Sequence, residues 1–196
     1  MDYYSVDIET SGPVPGRHSL LSLGASHVRR KGSKYLVLED HYVELKPIFP
    51  EFSESAMSVH GLSRAHLEAH GRDPLEALSA FLEFVRSTQK ETAERPVFVA
   101  HNAPFDWMFV VHYLDHAGFP NPFGHSALDT KALAMGVLEI PWPQTSLRQL
   151  ALRLPEVEPR DPALIHHAGA DARYQALVFA ALMDRLRAIR RRPAGP

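Results

Sequence analysis

Cysteine is absent from the 196 residues, which excludes disulfides, thiolate zinc sites and cysteine nucleophiles together. Any metal must therefore sit on oxygen or imidazole ligands. No apolar run approaches the roughly 20 residues that a membrane span requires, and the opening Met-Asp-Tyr-Tyr lacks the basic and apolar regions of a signal peptide. A cytoplasmic chain with no membrane partner is the expectation. Charge of one sign is also lacking: 21 Lys and Arg stand against 23 Asp and Glu, for a net charge of -2. That balance gives no global attraction to phosphate, although a local basic surface would still bind nucleic acid. Repeats and low-complexity blocks are missing too, so the length reads as one domain over 1–192 with a disordered tail at 193–196.

What is present is strand-rich at the start. Tyr3 to Thr10 alternates in the manner of a strand, and Ser11-Gly12-Pro13-Val14-Pro15-Gly16 must turn. Ser19 to Val28 and Tyr35 to Leu45 read as two further strands of an antiparallel meander. Pro47 to Pro50 and Ser58 to Ser63 read as loop, with Ser63 capping a short helix through Ala69 that Gly71 ends. Leu75, Leu78, Phe81, Leu82 and Val85 recur at helical spacing over Pro74 to Arg86. Pro96 to Ala100 has the unbroken apolar character of a central strand, and a helix through His116 follows it, closed by Gly118. Asp129 caps a predicted helix through Met135, Thr145 or Ser146 another through Leu152, and a long final helix spans about Ala170 to Arg191. Strands first, then strands and helices mixed, imply an α/β fold on a mixed sheet.

Four acids stand out against this frame. Asp7 and Glu9 are one position apart on the first strand, so both carboxylates point to the same side, a cost unless a cation belongs there. Asp106 falls in the first turn of the helix after the buried strand. Asp171 opens the last helix, with His166 five residues earlier and His167 beside it. Singly, each has a plain explanation: helix-end electrostatics for Asp106 and Asp171, a solvated strand face for the first pair, surface histidines for the last.

Together they follow a known order. Asp7-Ile8-Glu9-Thr10-Ser11-Gly12, Val99-Ala100-His101-Asn102-Ala103-Pro104-Phe105-Asp106, and His166 with Asp171 as His-x-x-x-x-Asp resemble the three motifs of the DEDDh exonucleases. That is the family of the proofreading subunit of bacterial DNA polymerase III and of ribonuclease T. Val59-His60-Gly61-Leu62-Ser63 and Leu128-Asp129-Thr130 with Leu133-Ala134 resemble its intervening segments. Ala170, where the family often has an acid, and the Pro-rich turn after Gly12 depart from the pattern but spare all five motif residues.

The resemblance implies a ribonuclease H-like mixed sheet flanked by helices and metal-dependent 3′-to-5′ exonuclease activity that releases nucleoside 5′-monophosphates. It implies Asp7, Glu9, Asp106 and Asp171 as ligands of two divalent cations, Mg2+ or Mn2+, about 3.5 to 4 Å apart. His166, chosen over His167 by the motif offset, becomes the general base, which must be neutral to act. Thr10, Ser11, His60, Leu62, Asn102 and Phe105 are the candidate substrate contacts, with a turn-making role for the first two and a core role for Phe105 as the alternatives. The implied partner is nucleic acid, with single-stranded 3′ ends first, and a homodimer or a polymerase partner stays open. DNA and RNA are not distinguished. The alternatives in function are a nucleic-acid-binding module with weak chemistry and a hydrolase of short oligonucleotides. Arg185, Arg187, Arg190, Arg191 and Arg192 read as cations offsetting the end of the last helix, with a hold on nucleic-acid backbone as the alternative.

Overall fold

A computed structural model describes residues 1–90 and 94–191; Arg192 and the expected tail at 193–196 lie outside the described residues. Strands β1 (Asp2–Thr10), β2 (Leu20–Lys31) and β3 (Lys34–Glu44) form the expected meander. Helices α1 (Glu54–His60), α2 (Arg64–His70) and α3 (Pro74–Thr88) follow, then β4 (Val97–Ala100) and α4 (Ala103–His116). The remainder comprises β5 (Ala127–Asp129), α5 (Thr130–Leu138), α6 (Leu147–Ala151) and α7 (Ala168–Arg191), with single 3-10 turns at Trp142–Gln144 and Pro162–Leu164. The sheet order is β3-β2-β1-β4-β5, antiparallel up to β1 and parallel from β1 to β5. Among the described residues no helix is long and apolar enough to cross a membrane.

The alternation along β1 divides its side chains between two cores. Tyr4, Val6 and Ile8 join Leu78, Phe81 and Val85 of α3 and Phe109, Val110 and Tyr113 of α4. Tyr3 points the other way, to Phe179 of α7, so Ser5, Asp7 and Glu9 also face α7. That helix approaches closely because both surfaces are small. Ala168, Ala172, Ala176 and Ala180 recur every four residues along α7 and are all buried, while the strands offer Ser5, Ser22 and Gly24. A Cβ on Gly24 would stand 2.1 Å from the Ala168 carbonyl oxygen. Gly24 also pairs with Asp7 in the β1–β2 register, so the start of α7 is seated directly beside the first acid.

Two elements differ from expectation. Residues 54–60 form α1 where 58–60 were read as loop; it buries none of its side chains fully, so no apolar stripe marks it. β5 was not expected, being three half-buried residues. It nevertheless positions much of the site. Asp129 at its end accepts hydrogen bonds from Ala132 N (2.8 Å) and from Ala103 N (2.6 Å), capping α5 and α4 together. Asn102 sits at the α4 N-cap with φ 73° and makes no side-chain cap bond. The final helix starts two residues earlier than predicted, at Ala168.

Candidate active site

β1, β4 and β5 run parallel, so their carboxyl ends open on the same edge of the sheet, the place where α/β sheets bind ligands. Glu9 lies at the end of β1, where the register with β2 shifts between Glu9 and Thr10, the kind of bulge that re-aims a side chain. The α4 helix begins three residues after β4 and turns Asp106 back under β1. There Asp106 is buried, and its Oδ1 accepts the Ile8 N–H at 3.2 Å. α7 brings Asp171 over the same point.

One ligating atom each from Glu9, His166 and Asp171 lies within 4.8 Å of the other two. Asp7 adjoins this group through Gln175, one turn beyond Asp171 on α7. Its Nε2 donates to Asp7 Oδ1 at 2.6 Å while its Oε1 accepts His101 N–H at 3.0 Å. The amide is thereby fixed in orientation, and Asp7 is tied to both α7 and the end of β4. Arg160, in the loop before α7, donates to Asp171 Oδ1, and the other oxygen of Asp171 accepts His166 N–H at 2.9 Å. His166 holds a φ of 65°, uncommon for a non-glycine residue and typical of functional sites that the surrounding structure over-determines.

Crowding perturbs the acids. Burial pushes Asp7 up to about 7; burial and then the charge of Asp7 push Glu9 up to about 8. Burial, with the charges of Asp7 and Glu9 behind it, raises Asp106 well above the carboxylate range. A carboxyl raised in the folded state keeps a proton that the unfolded chain releases. Its contribution to stability is therefore full below the ordinary carboxylate value and lost as the pH climbs to the folded value. In EDTA the melting temperature should fall as the pH rises from about 4.5 to about 8; a melting temperature that stays level or rises across that window would contradict the crowding.

The remaining expected site residues fall into two groups. His60 and Leu62 line a cavity shared with Ser22, Tyr42, His166 and His167. His60 Nδ1 accepts Leu62 N–H (3.1 Å) and its Nε2 faces the Thr10 carbonyl (3.3 Å), so the ring latches α1 to the end of β1, and burial lowers its pKa. Thr10 and Ser11 are buried with their hydroxyls occupied: Thr10 Oγ1 donates within the turn to Gly12 O, and Ser11 Oγ donates to Glu51 O in the segment after β3. Asn102 is exposed at the start of α4, while Phe105 is half-buried against Phe109, with ring centroids 5.4 Å apart. His167 stacks on Tyr42 at 4.3 Å and its Nδ1 accepts Ala170 N–H at 3.3 Å, which makes it the cap of α7. Of the basic tail, Arg185 is held by both oxygens of Glu156 at 3.0 Å.

Arg160 and Gln175 were not anticipated from the sequence. Gln175 carried a usable signal, since position i+4 from Asp171 shares its helix face. Arg160 carried none, because the loop that holds it has no periodicity.

Known proteins resemble this chain in sequence and in fold. Residues 5–179 match the family model described as Exonuclease (RNase T). The chain is 40% identical over 184 residues to an Escherichia coli protein named 3'-5' DNA exonuclease Cap18, covering 94% of this chain and 92% of that one. It is 30% identical over 196 residues to ribonuclease T of Marinobacter nauticus, covering 97% and 86%. Among solved structures, the nuclease domain of 3'hExo, a DEDDh family member bound to rAMP, superposes with a TM-score of 0.74 at 12% identity, over 93% of this chain and 91% of that one. Exonuclease I gives 0.69 at 18% identity, over 93% and 40%. At these identities the structural likeness concerns the fold.

Proposed function

Because the chain belongs to the DEDDh exonuclease family, we propose that it removes nucleotides from the 3′ end of a nucleic-acid strand as nucleoside 5′-monophosphates. The observation that carries this is the convergence of Glu9, His166 and Asp171 within 4.8 Å, with Asp7 and Asp106 against them. Exonucleases of this family generally use divalent metal ions, and the donor set fits them. It is made of carboxylate oxygens, the ligands that hard cations prefer; burial raises the pKa values of Asp7, Glu9 and Asp106, and the charge of neighbouring acids adds to it at the last two. Asp7, Glu9, Asp106 and Asp171 would hold two such ions, Mg2+ or Mn2+. When bound, these would neutralise charge on the scissile phosphate and act as Lewis acids there.

The chain's own residues do the rest. Gln175 holds one oxygen of Asp7 in place, and the Ile8 N–H holds one of Asp106. His166, exposed beside the acids, accepts a proton from the attacking water at a ring nitrogen, as general base. His167 is spent on capping α7, which leaves His166 the free imidazole of the two. The cavity walled by His60, Leu62 and Tyr42 receives the terminal nucleoside; Asn102 and Phe105, at the start of α4, are not among its lining residues.

Single-stranded DNA is the first substrate to try, since the 40% identical relative is named a DNA exonuclease; the 30% identical relative is named a ribonuclease, so RNA is the second. The test is incubation with end-labelled single-stranded DNA, single-stranded RNA and the corresponding duplexes, in Mg2+, Mn2+ or EDTA. Mononucleotides should appear from at least one substrate with metal and from none in EDTA. No mononucleotide from any of them would overturn the proposal.

A further inference from the structure

Asp171 already holds a cation, and it belongs to this chain. The Arg160 guanidinium donates to Asp171 Oδ1, lies close enough to Asp7 and Glu9 to interact with both charges, and rests over the Tyr174 ring, 5.6 Å from its centroid. Its fit is incomplete. Among the described residues the buried Arg160 Nε meets no hydrogen-bond partner, whereas most buried polar side-chain atoms in a fold are satisfied. Space adjoins the side chain, because Arg160 lines two surface cavities, one with Leu147, Arg148 and Ile165 and the other with Glu158, Leu164 and Arg173.

We propose that Arg160 is a resident counter-ion that competes with the divalent cations for Asp171 and its neighbours, so that metal binding requires its displacement. The inference rests on the four-acid reading of the site. Both oxygens of Asp171 are engaged by one loop, Oδ1 by Arg160 and Oδ2 by the His166 N–H. Displacing the guanidinium therefore loosens the same segment that carries His166. Metal arrival and the placement of the general base become linked.

Competition of this kind lowers apparent affinity by the fraction of molecules whose site is free. If Arg160 fills the site about nine-tenths of the time, removing it should tighten Mn2+ binding on the order of tenfold. The experiment is calorimetric titration of Mn2+ into the substrate-free protein and into Arg160→Met, Arg160→Gln and Arg160→Lys, with folding checked by circular dichroism. Met keeps the packing on Tyr174, Gln serves if Met fails to fold, and Lys retains the charge. Arg86→Met, at an exposed pair with Glu83, controls for net charge. Tighter binding in the Met or Gln variant, with the Lys variant nearer the parent and the Arg86 variant unchanged, is the expected result. Equal or weaker binding in both neutral variants, while the parent binds Mn2+, would overturn the role of Arg160 alone. Absence of Mn2+ binding by the parent would instead overturn the four-acid site itself.

Discussion

Asp7→Asn should abolish nucleotide release while leaving the protein folded. The loss expected is on the order of a thousandfold or more in kcat, since metal-assisted charge stabilisation contributes several kcal/mol and each 1.36 kcal/mol is about tenfold in rate. Asp7 sits in the middle of the constellation, adding to the charge felt by Glu9 and Asp106 and receiving the Gln175 amide. The same replacement removes one of the crowded charges. Around pH 8 in EDTA the variant should therefore melt at the parent's temperature or above it, which separates loss of chemistry from loss of fold. Nucleotide release within tenfold of the parent would sink the assignment, and so would a cooperative unfolding transition lost altogether.

His166→Ala is the second large effect. A general base contributes about 10² to 10⁴ in rate, and kcat should fall by that factor with the Mn2+ titration midpoint nearly unmoved. The midpoint matters because His166 offers a nitrogen within reach of the Glu9 and Asp171 oxygens. A variant that loses metal affinity in step with activity would make His166 a ligand and not the base. His167→Ala should behave differently: kcat within about threefold of the parent, but a less stable protein, because a lost helix cap costs about 1 kcal/mol. Reversal of these two phenotypes would transfer the base to His167.

Much of this site was legible because its logic is local. Alternation put Asp7 and Glu9 on one face of β1, α4 starts where helix signals start and α7 two residues before its expected start, so Asp106 and Asp171 could be placed near helix beginnings from local signals alone. What brings those beginnings together was not legible. The approach of α7 depends on Gly24 meeting Ala168 across two elements 144 residues apart in number, and α4 is capped by Asp129 from β5, a strand too short to show a pattern. α1 escaped notice because a helix that buries no side chain fully has little reason to carry an apolar stripe. Residues 60 and 62 were recognised through their motif, although their backbone role, latching α1 to the end of β1, emerges only from the hydrogen bonds of His60. Thr10 and Ser11 show the limit of a motif from the other side. Their positions beside the acids are right, yet their hydroxyls are consumed by backbone carbonyls, that of Thr10 within the turn and that of Ser11 at Glu51.

Arg160 marks the same boundary. Its contact with Asp171 links residues eleven apart through an irregular loop, and no local rule distinguishes it from the other arginines of a chain with 21 basic residues. Long-range electrostatics of this kind is decided by tertiary placement alone.

The proposed activity requires Asp7, Glu9, Asp106 and Asp171 to form one cation site. The direct measurement is anomalous diffraction from crystals of the protein soaked in MnCl2 with a nucleoside 5′-monophosphate. Two manganese peaks about 3.5 to 4 Å apart, ligated by oxygens of these four residues, with Arg160 withdrawn from Asp171, are the predicted result. Manganese bound elsewhere, or an Asp171–Arg160 pair intact with no peak between the four acids, would contradict it.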